Sequence, residues 1–228
     1  MSDEPRTADL GYARVDLDRA GRTGDAEVVY GAGKTPSQVV GILRTLHERH
    51  PDRAVLATRV SPEALELVGH ELPEAVRHPE ARAVVLGEPP EPRGRVAVVS
   101  AGTSDAPVAA EAVLSVRVHG AGVDRIDDVG VAGLHRLLDV RERLVEADCL
   151  VVVAGMEGAL PSVVGGLCGV PLVAVPTSVG YGASFGGLAP LLAMLNSCAP
   201  GVTVVNIDNG YGAGVFAARV ARSARERA

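Results

Sequence analysis

The chain contains no tryptophan, only 3% aromatic residues and a single lysine, Lys34. Any core must therefore be built from Val, Leu, Ala and Ile, which a 47% hydrophobic content supplies. Cysteine is scarce as well. Cys149, Cys168 and Cys198 stand far apart, giving neither a metal-ligand spacing nor a disulfide framework, as expected of a cytoplasmic protein with reduced thiols. Positive charge is in deficit, and a formal net charge of −6 speaks against general affinity for nucleic acid. The start, Met1-Ser2-Asp3-Glu4-Pro5, is too polar for a secretory signal. Charge nearly vanishes between Cys149 and Ile207, where Glu157 is the only ionisable carboxylate or base. Glycine and proline interrupt that window before an apolar run of about 20 residues accumulates, so no membrane span is expected. So much uncharged surface instead predicts subunit contacts and a homo-oligomer.

Proline marks the division of the chain. Glu88-Pro89-Pro90-Glu91-Pro92-Arg93-Gly94 reads as an extended linker, because proline disfavours helix in the residue before it and removes a backbone donor. A small α/β region, residues 1–93, is expected before a larger domain, residues 94–228. In the first, Glu27–Tyr30, Ala54–Ala57 and Ala83–Leu86 read as strands and Ser61–Gly69 as a short helix. Thr35-Pro36-Ser37-Gln38 has the residues of a capping box, and Val39, Ile42, Leu43 and Leu46 share one face of the helix that follows. Residues 1–25 show no periodicity and are expected to be partly disordered.

Beyond the linker the rhythm is regular. Strands are expected at Val96–Ser100, 124–128, Cys149–Ala154, Leu172–Val175 and Val202–Asn206. Helices are expected near 106–117, 133–146, 159–168, Gly187–Ser197 and 213–226. Five such units predict an α/β fold with a doubly wound, mainly parallel sheet, a flavodoxin-like three-layer sandwich. Ligands of such sheets bind at the carboxyl ends of the strands. Residues 155–214 hold 13 glycines, far above the usual ~7%, and many follow strands. Gly155 and Gly158, Gly180 and Gly182, and Gly210, Gly212 and Gly214 are taken as backbone cradles for a phosphorylated small molecule, although tight turns also need glycine.

Polar residues between the glycines carry competing readings. Gly102-Thr103-Ser104-Asp105 offers hydroxyls and amides to a phosphate, with Asp105 either accepting from a sugar hydroxyl or capping the next helix. Glu157, isolated from other charges, is a candidate acid or base, or else a solvated loop charge. His135 and Arg136 open a helix, where Arg136 can pair with phosphate or lie exposed. Cys198, in Asn196-Ser197-Cys198-Ala199-Pro200, lies in a turn rather than within the core, but a helix C-terminus disfavours a thiolate.

Gly102-Thr103-Ser104-Asp105, Ala154-Gly155 through Pro161 and Gly169-Val170-Pro171 together resemble the phosphoribosylaminoimidazole carboxylases and carboxyaminoimidazole ribonucleotide mutases of purine synthesis. Those enzymes carry a small residue and a histidine where this chain has Glu157 and Leu160. They also lack the N-terminal extension and a counterpart of Cys198. The departures resemble the LarB family, pyridinium-3,5-biscarboxylic acid mononucleotide synthases. The matching stretches are Tyr30–Pro36, Asp128–Arg136, Gly155–Pro161, Val175–Gly182, Leu195–Cys198 and Asn206–Gly214.

That resemblance implies carboxylation of nicotinic acid adenine dinucleotide at pyridine C5, with phosphoanhydride hydrolysis releasing AMP. Carbon dioxide or bicarbonate is the co-substrate, and Mg²⁺ is the candidate cation, with no ligand set visible. The resemblance makes Cys198 the nucleophile and Glu157 the acid/base. Substrate contacts would come from Gly102, Thr103, Ser104, Asp105, Asp128, His135, Arg136, Gly155, Met156, Gly158, Ser178, Gly180, Tyr181, Asn209 and Gly210. It also implies a symmetric homo-oligomer, with an octamer as the candidate order. The competing readings are a purine-pathway mutase or carboxylase, which needs no cysteine, and a non-catalytic nucleotide-binding protein.

Overall fold

The computed structural model describes residues 5–225, which divide into two compact units at Pro90/Glu91. The first unit begins with a hairpin, β1 (Thr7–Asp9) antiparallel to β2 (Arg14–Asp16), followed by a short helix α1 (Arg19–Thr23). This corrects the expectation of disorder for the described part of residues 1–25; residues 1–4 lie outside the described residues. Val15 and Leu17 are buried in the unit's core, and Asp16 pairs with Arg19 and Arg22. Strands of three residues are too short to leave a readable alternation.

The remaining elements are β3 (Val28–Tyr30), α2 (Pro36–Arg49), β4 (Val55–Thr58), α3 (Pro62–Glu71), β5 (Val76–His78) and β6 (Ala83–Leu86). They form a sheet of order β3-β4-β6-β5, in which only β3 and β4 run parallel. The Thr35 hydroxyl accepts from Gln38 N while the Gln38 side chain accepts from Thr35 N, the expected capping box. Ser61 caps α3 in the same position before a proline, accepting from Ala64 N. Val39, Ile42, Leu43 and Leu46 are buried, as the helical spacing required. Strand β5 was not anticipated. It is three residues long and exposes Val76 at the sheet edge.

The second unit holds five strands: β7 (Arg95–Ser100), β8 (Gly122–Ile126), β9 (Cys149–Ala154), β10 (Leu172–Pro176) and β11 (Val202–Val204). All pairs are parallel, in the order β11-β10-β9-β7-β8. Counted within the unit this is 2-1-3-4-5, the flavodoxin-like winding. The crossovers contain α4 (Ala106–Val118), α5 (Leu134–Asp139), α6 (Arg141–Val145), α7 (Leu160–Leu167) and α8 (Leu188–Leu195), and α9 (Gly210–Arg225) closes the unit.

Burial on both faces explains the unbroken apolar strands. Val96, Val98, Val151, Val153, Val173 and Val175 meet Ala109, Ala112, Val113 and Val116 of α4 and Ala213, Ala217, Ala218 and Ala221 of α9. The intervening residues, including Val99, Leu150, Val152 and Ala174, face Leu137, Leu144, Leu160, Val164 and Met194 on the other helices.

Several expected boundaries move for local reasons. Strand β8 starts earlier than expected because Arg95 through Val99 register with Gly122 through Ile126, and Asp128 then turns to φ 59°. The single helix expected over 133–146 is two. Val140 leaves helical geometry at φ −105° and ψ 7°, with its N–H returning to Leu137 O. Helix α9 starts at Gly210 because Asn209 Oδ1 accepts from Gly212 N; its expected end at 226 lies outside the described residues. Among the described residues no helix is long and apolar enough to cross a membrane.

Candidate functional site at the carboxyl ends of the strands

The topological switch of the second unit lies between β7 and β9, where successive crossovers leave on opposite faces and open a crevice beyond the strand ends. The loop after β7 carries Gly102, Thr103, Ser104 and Asp105. The loop after β9 carries Gly155, Met156, Glu157 and Gly158. Asp128, His135 and Arg136 follow β8; Ser178, Gly180 and Tyr181 follow β10; Asn209 and Gly210 follow β11. Every sequence-derived candidate except Cys198 thus falls at the same end of one parallel sheet.

Asp105 organises this end from behind. Its side chain is 4% exposed and makes no capping bond to α4. Thr177 Oγ1 donates to Asp105 Oδ1 at 2.7 Å, Gly102 N donates to Oδ2 at 3.1 Å, and Gly155 N donates as well. One carboxylate therefore ties together the loops after β7, β9 and β10. Burial raises its pKa above the ordinary carboxylate value, while the Thr177 and amide donors oppose that shift. Thr177, a fully buried residue between Pro176 and Ser178, was missed in the sequence. A threonine beside a strand end carries no sign that its hydroxyl will meet an aspartate 72 positions away.

The other candidates differ in what they offer. Thr103, Ser104, Ser178 and Glu157 are exposed, and Ser178 N donates to Asp208 Oδ1 at 2.8 Å. The isolation of Glu157 in sequence therefore does not amount to burial within one chain. Arg136 forms an ion pair with Asp128 at 2.6 Å, and His135 beside it is exposed. Tyr181 is 80% exposed.

Two candidates are engaged structurally. Asn209 caps α9, and Gly210 lies where α9 crosses α4, so that a Cβ there would come 3.0 Å from Glu111 Oε2. Gly214, one turn later, meets Ser115 Cβ at 2.6 Å in the same way. These glycines let two helices touch. By contrast, a Cβ at Gly155 would lie 2.6 Å from Thr177 Oγ1, so glycine there lets the β9 loop reach β10.

Backbone strain marks the same end. Asp128, Met156, Phe185 and Asp208 all have positive φ, at 59°, 52°, 45° and 57°. They fall one apiece in the loops after β8, β9, β10 and β11. Left-handed non-glycine residues cost energy and collect at binding and catalytic sites. Sequence reasoning had no access to this feature, because none of the four is glycine.

Cys198 lies in the turn between α8 and β11, which Ser197 seats against Ser162 near the start of α7, the helix that the Glu157 loop leads into. Of the three cysteines it alone is exposed. Burial pushes the Cys149 thiol up to about 12 and also raises Cys168, so neither is a nucleophile at neutral pH. Lys34 belongs to the first unit, where its Nζ donates to Tyr30 O at 2.8 Å. Among the described residues, His, Cys, Asp and Glu nowhere gather in a group of three that could hold a metal ion.

Comparison with known proteins agrees with this architecture. Residues 7–88 match the LarB/PurE-like N-terminal domain, and residues 95–228 match AIR carboxylase. Uncharacterized protein MJ0165 of Methanocaldococcus jannaschii is 40% identical over 221 residues, covering 92% of this chain and 84% of that protein. A flavodoxin from the domain Archaea aligns at 17% identity with a TM-score of 0.36, over 58% of this chain and 97% of the flavodoxin. The two domain matches support an enzyme of carboxylase or mutase type. With both domains in order along one polypeptide, the chain belongs to the LarB family, a relative of the AIR carboxylases.

Proposed function

We propose that the protein carboxylates nicotinic acid adenine dinucleotide at pyridine C5 and hydrolyses its phosphoanhydride. The products are pyridinium-3,5-biscarboxylic acid mononucleotide and AMP, the mononucleotide being a precursor of the nickel-pincer nucleotide used by lactate racemase. The observation that carries this reading is Cys198, an exposed thiol in a LarB-family chain whose other two cysteines are buried. A purine-type carboxylase needs no such group.

The chemistry follows from the electron-poor ring. Pyridinium C5 cannot attack carbon dioxide. Addition of the Cys198 thiolate at C4 puts an electron pair into the ring and gives a dihydropyridine, whose enamine carbon C5 is nucleophilic. C5 then bonds to carbon dioxide, a base takes the C5 proton, and the C4–S bond breaks to return thiolate and aromaticity. The cationic ring supplies the field that the C-terminal end of α8 lacks. Glu157 is the base in this reading. Ser104, Ser178 and Arg136 would hold phosphate and ribose, with Asp105 holding the loops of Ser104 and Ser178.

The protein would act as a homo-oligomer. Leu188, Leu192 and Leu195 form an exposed stripe at i, i+4 and i+7 on α8, at 44%, 50% and 62% exposure, alongside Phe185 at 74%.

Incubation with the dinucleotide and bicarbonate should yield a carboxylated mononucleotide and AMP by mass spectrometry. Cys198→Ala should lower turnover by at least ~10³-fold, in the range expected for loss of a covalent nucleophile. Turnover of an aminoimidazole ribonucleotide that survives Cys198→Ala, with the dinucleotide left unchanged, would identify a purine-type enzyme instead.

A further inference from the structure

The turn that presents Cys198 is fastened to α7 by a side-chain contact. Ser197 Oγ and Ser162 Oγ share a hydrogen bond of 2.8 Å, although 35 positions separate them in the chain. Ser162 is the third residue of α7, whose approach loop holds Glu157. Ser197 Oγ also accepts from Ala199 N at 3.3 Å, closing a small ring over Cys198 itself. A hydroxyl has one proton and two lone pairs, so Ser197 can make both contacts at once. A further feature seats the turn on the same helix. Gly165 lacks a side chain where a Cβ would come 3.1 Å from Ala199 Cβ and 3.1 Å from Val202 Cγ2.

We infer that Ser162 is a positioning residue for Cys198, acting through the Ser197 hydroxyl to fix the cysteine's turn on α7. The inference rests on the reading of Cys198 as the nucleophile. An exposed thiol on a free turn would sample many directions, whereas attack on a ring carbon needs one approach line. The Ser162–Ser197 bond removes that freedom without touching substrate. Its loss should therefore slow the chemical step while substrate affinity stays the same.

The test compares Ser162→Ala, Ser197→Ala and the double variant as full-length protein, with nicotinic acid adenine dinucleotide and bicarbonate. Each single variant should lose about tenfold in kcat with KM within about twofold of the parent, the pattern of a contact that matters only in the transition state. The double variant should lose no more than Ser197→Ala alone, because the bond that Ser162→Ala breaks is already gone once Ser197 is alanine. Ser162→Thr keeps the hydroxyl and should retain kcat within about twofold. Thermal unfolding midpoints identify any variant that merely folds poorly. Ser162→Ala at parental kcat, or single losses that multiply in the double variant, would overturn the positioning role. Cys198→Ala is the control for the reading beneath it. If that variant turns over normally, the nucleophile assignment fails whatever Ser162 does. If it is inactive while Ser162→Ala is unimpaired, only the positioning role fails.

Discussion

The two ends of the parallel sheet in the second unit are built on opposite principles. Where the strands begin, charges are abundant and paired. Arg95 reaches Asp124 and Glu146 at 2.9 Å each, Arg143 grips both oxygens of Asp124, and Asp148 accepts from Arg95 N at 2.8 Å. Where the strands finish, one buried carboxylate holds three loops, four non-glycine residues sit at positive φ, and Tyr181 and Phe185 face solvent. One sheet thus carries conventional surface pairing at one end and strained, incompletely covered backbone at the other. Energy spent holding loops in costly conformations is the mark of a binding end, and it must be offset by packing elsewhere in the domain.

The sharpest way to break this comparison is to remove one carboxylate from each end. Asp105→Ala strands the Thr177 hydroxyl and the amides of Gly102 and Gly155 in a buried setting. Unsatisfied buried donors cost about 1–3 kcal/mol each, and water entering the vacated space recovers part of that, so a loss of about 3 kcal/mol is expected in urea unfolding. Turnover should vanish with it as the loops part. Asp124→Ala removes pairs whose arginines are 39% and 45% exposed, and should cost about 1 kcal/mol with no change in turnover. Equal losses from the two variants would erase the distinction.

The pH dependence of the two carboxylates should also have opposite sign. Hydrogen bonds from Arg143, and then from Arg95, outweigh burial and hold Asp124 below its unfolded value of 3.8. Its contribution is present above 3.8 and is lost as pH falls through the lower folded value. Burial raises Asp105 above 3.8, so its contribution is complete below that value and is lost as pH rises through the higher folded value. Unfolding midpoints measured between about pH 3 and pH 7 should therefore show the Asp124→Asn variant falling further behind the parent as pH rises. The deficit of Asp105→Asn should shrink over the same interval. Curves of the same slope would mean that burial does not dominate at Asp105.

Much of this end was legible in the sequence, and the reason lies in the parallel fold. Once β7, β9 and β10 are recognised as apolar runs, every residue just after a strand must share one edge. Ser104, Glu157 and the glycines at 155, 158 and 180 could therefore be grouped from spacing, whereas Ser178 and Asn209 came only with the resemblance to the LarB family. What each one touches could not be read, because it depends on pairs far apart in the chain. Asp105 reads equally as a cap, a ligand or a loop tie until Thr177 is found beside it. The run Gly210-Tyr211-Gly212-Ala213-Gly214 looks the same whether its backbone approaches a ligand or a helix. Only the position of Ser115 decides for the helix at Gly214. The Cys198 turn was legible as a turn, but its fastening to Ser162 was not, since two serines 35 residues apart carry no pattern.

The smallest expected effect tests whether the strain itself is used. Met156 holds φ 52° beside Glu157, its side chain is 44% exposed, and its N–H donates to Val179 O at 2.8 Å. Met156→Gly keeps that amide and removes the Cβ that makes the left-handed conformation costly. It also adds freedom to the unfolded chain. Relief of strain and the added entropy nearly cancel, leaving a gain of about 0.5 kcal/mol. If the strained backbone is what aims Glu157 into the crevice, the same variant should lose about threefold in kcat despite being slightly more stable, because small misplacements of a catalytic group are costly. A variant that gains stability and keeps full turnover would show that the strain at Met156 follows from the close packing of the β9 and β10 loops and has no separate part in catalysis.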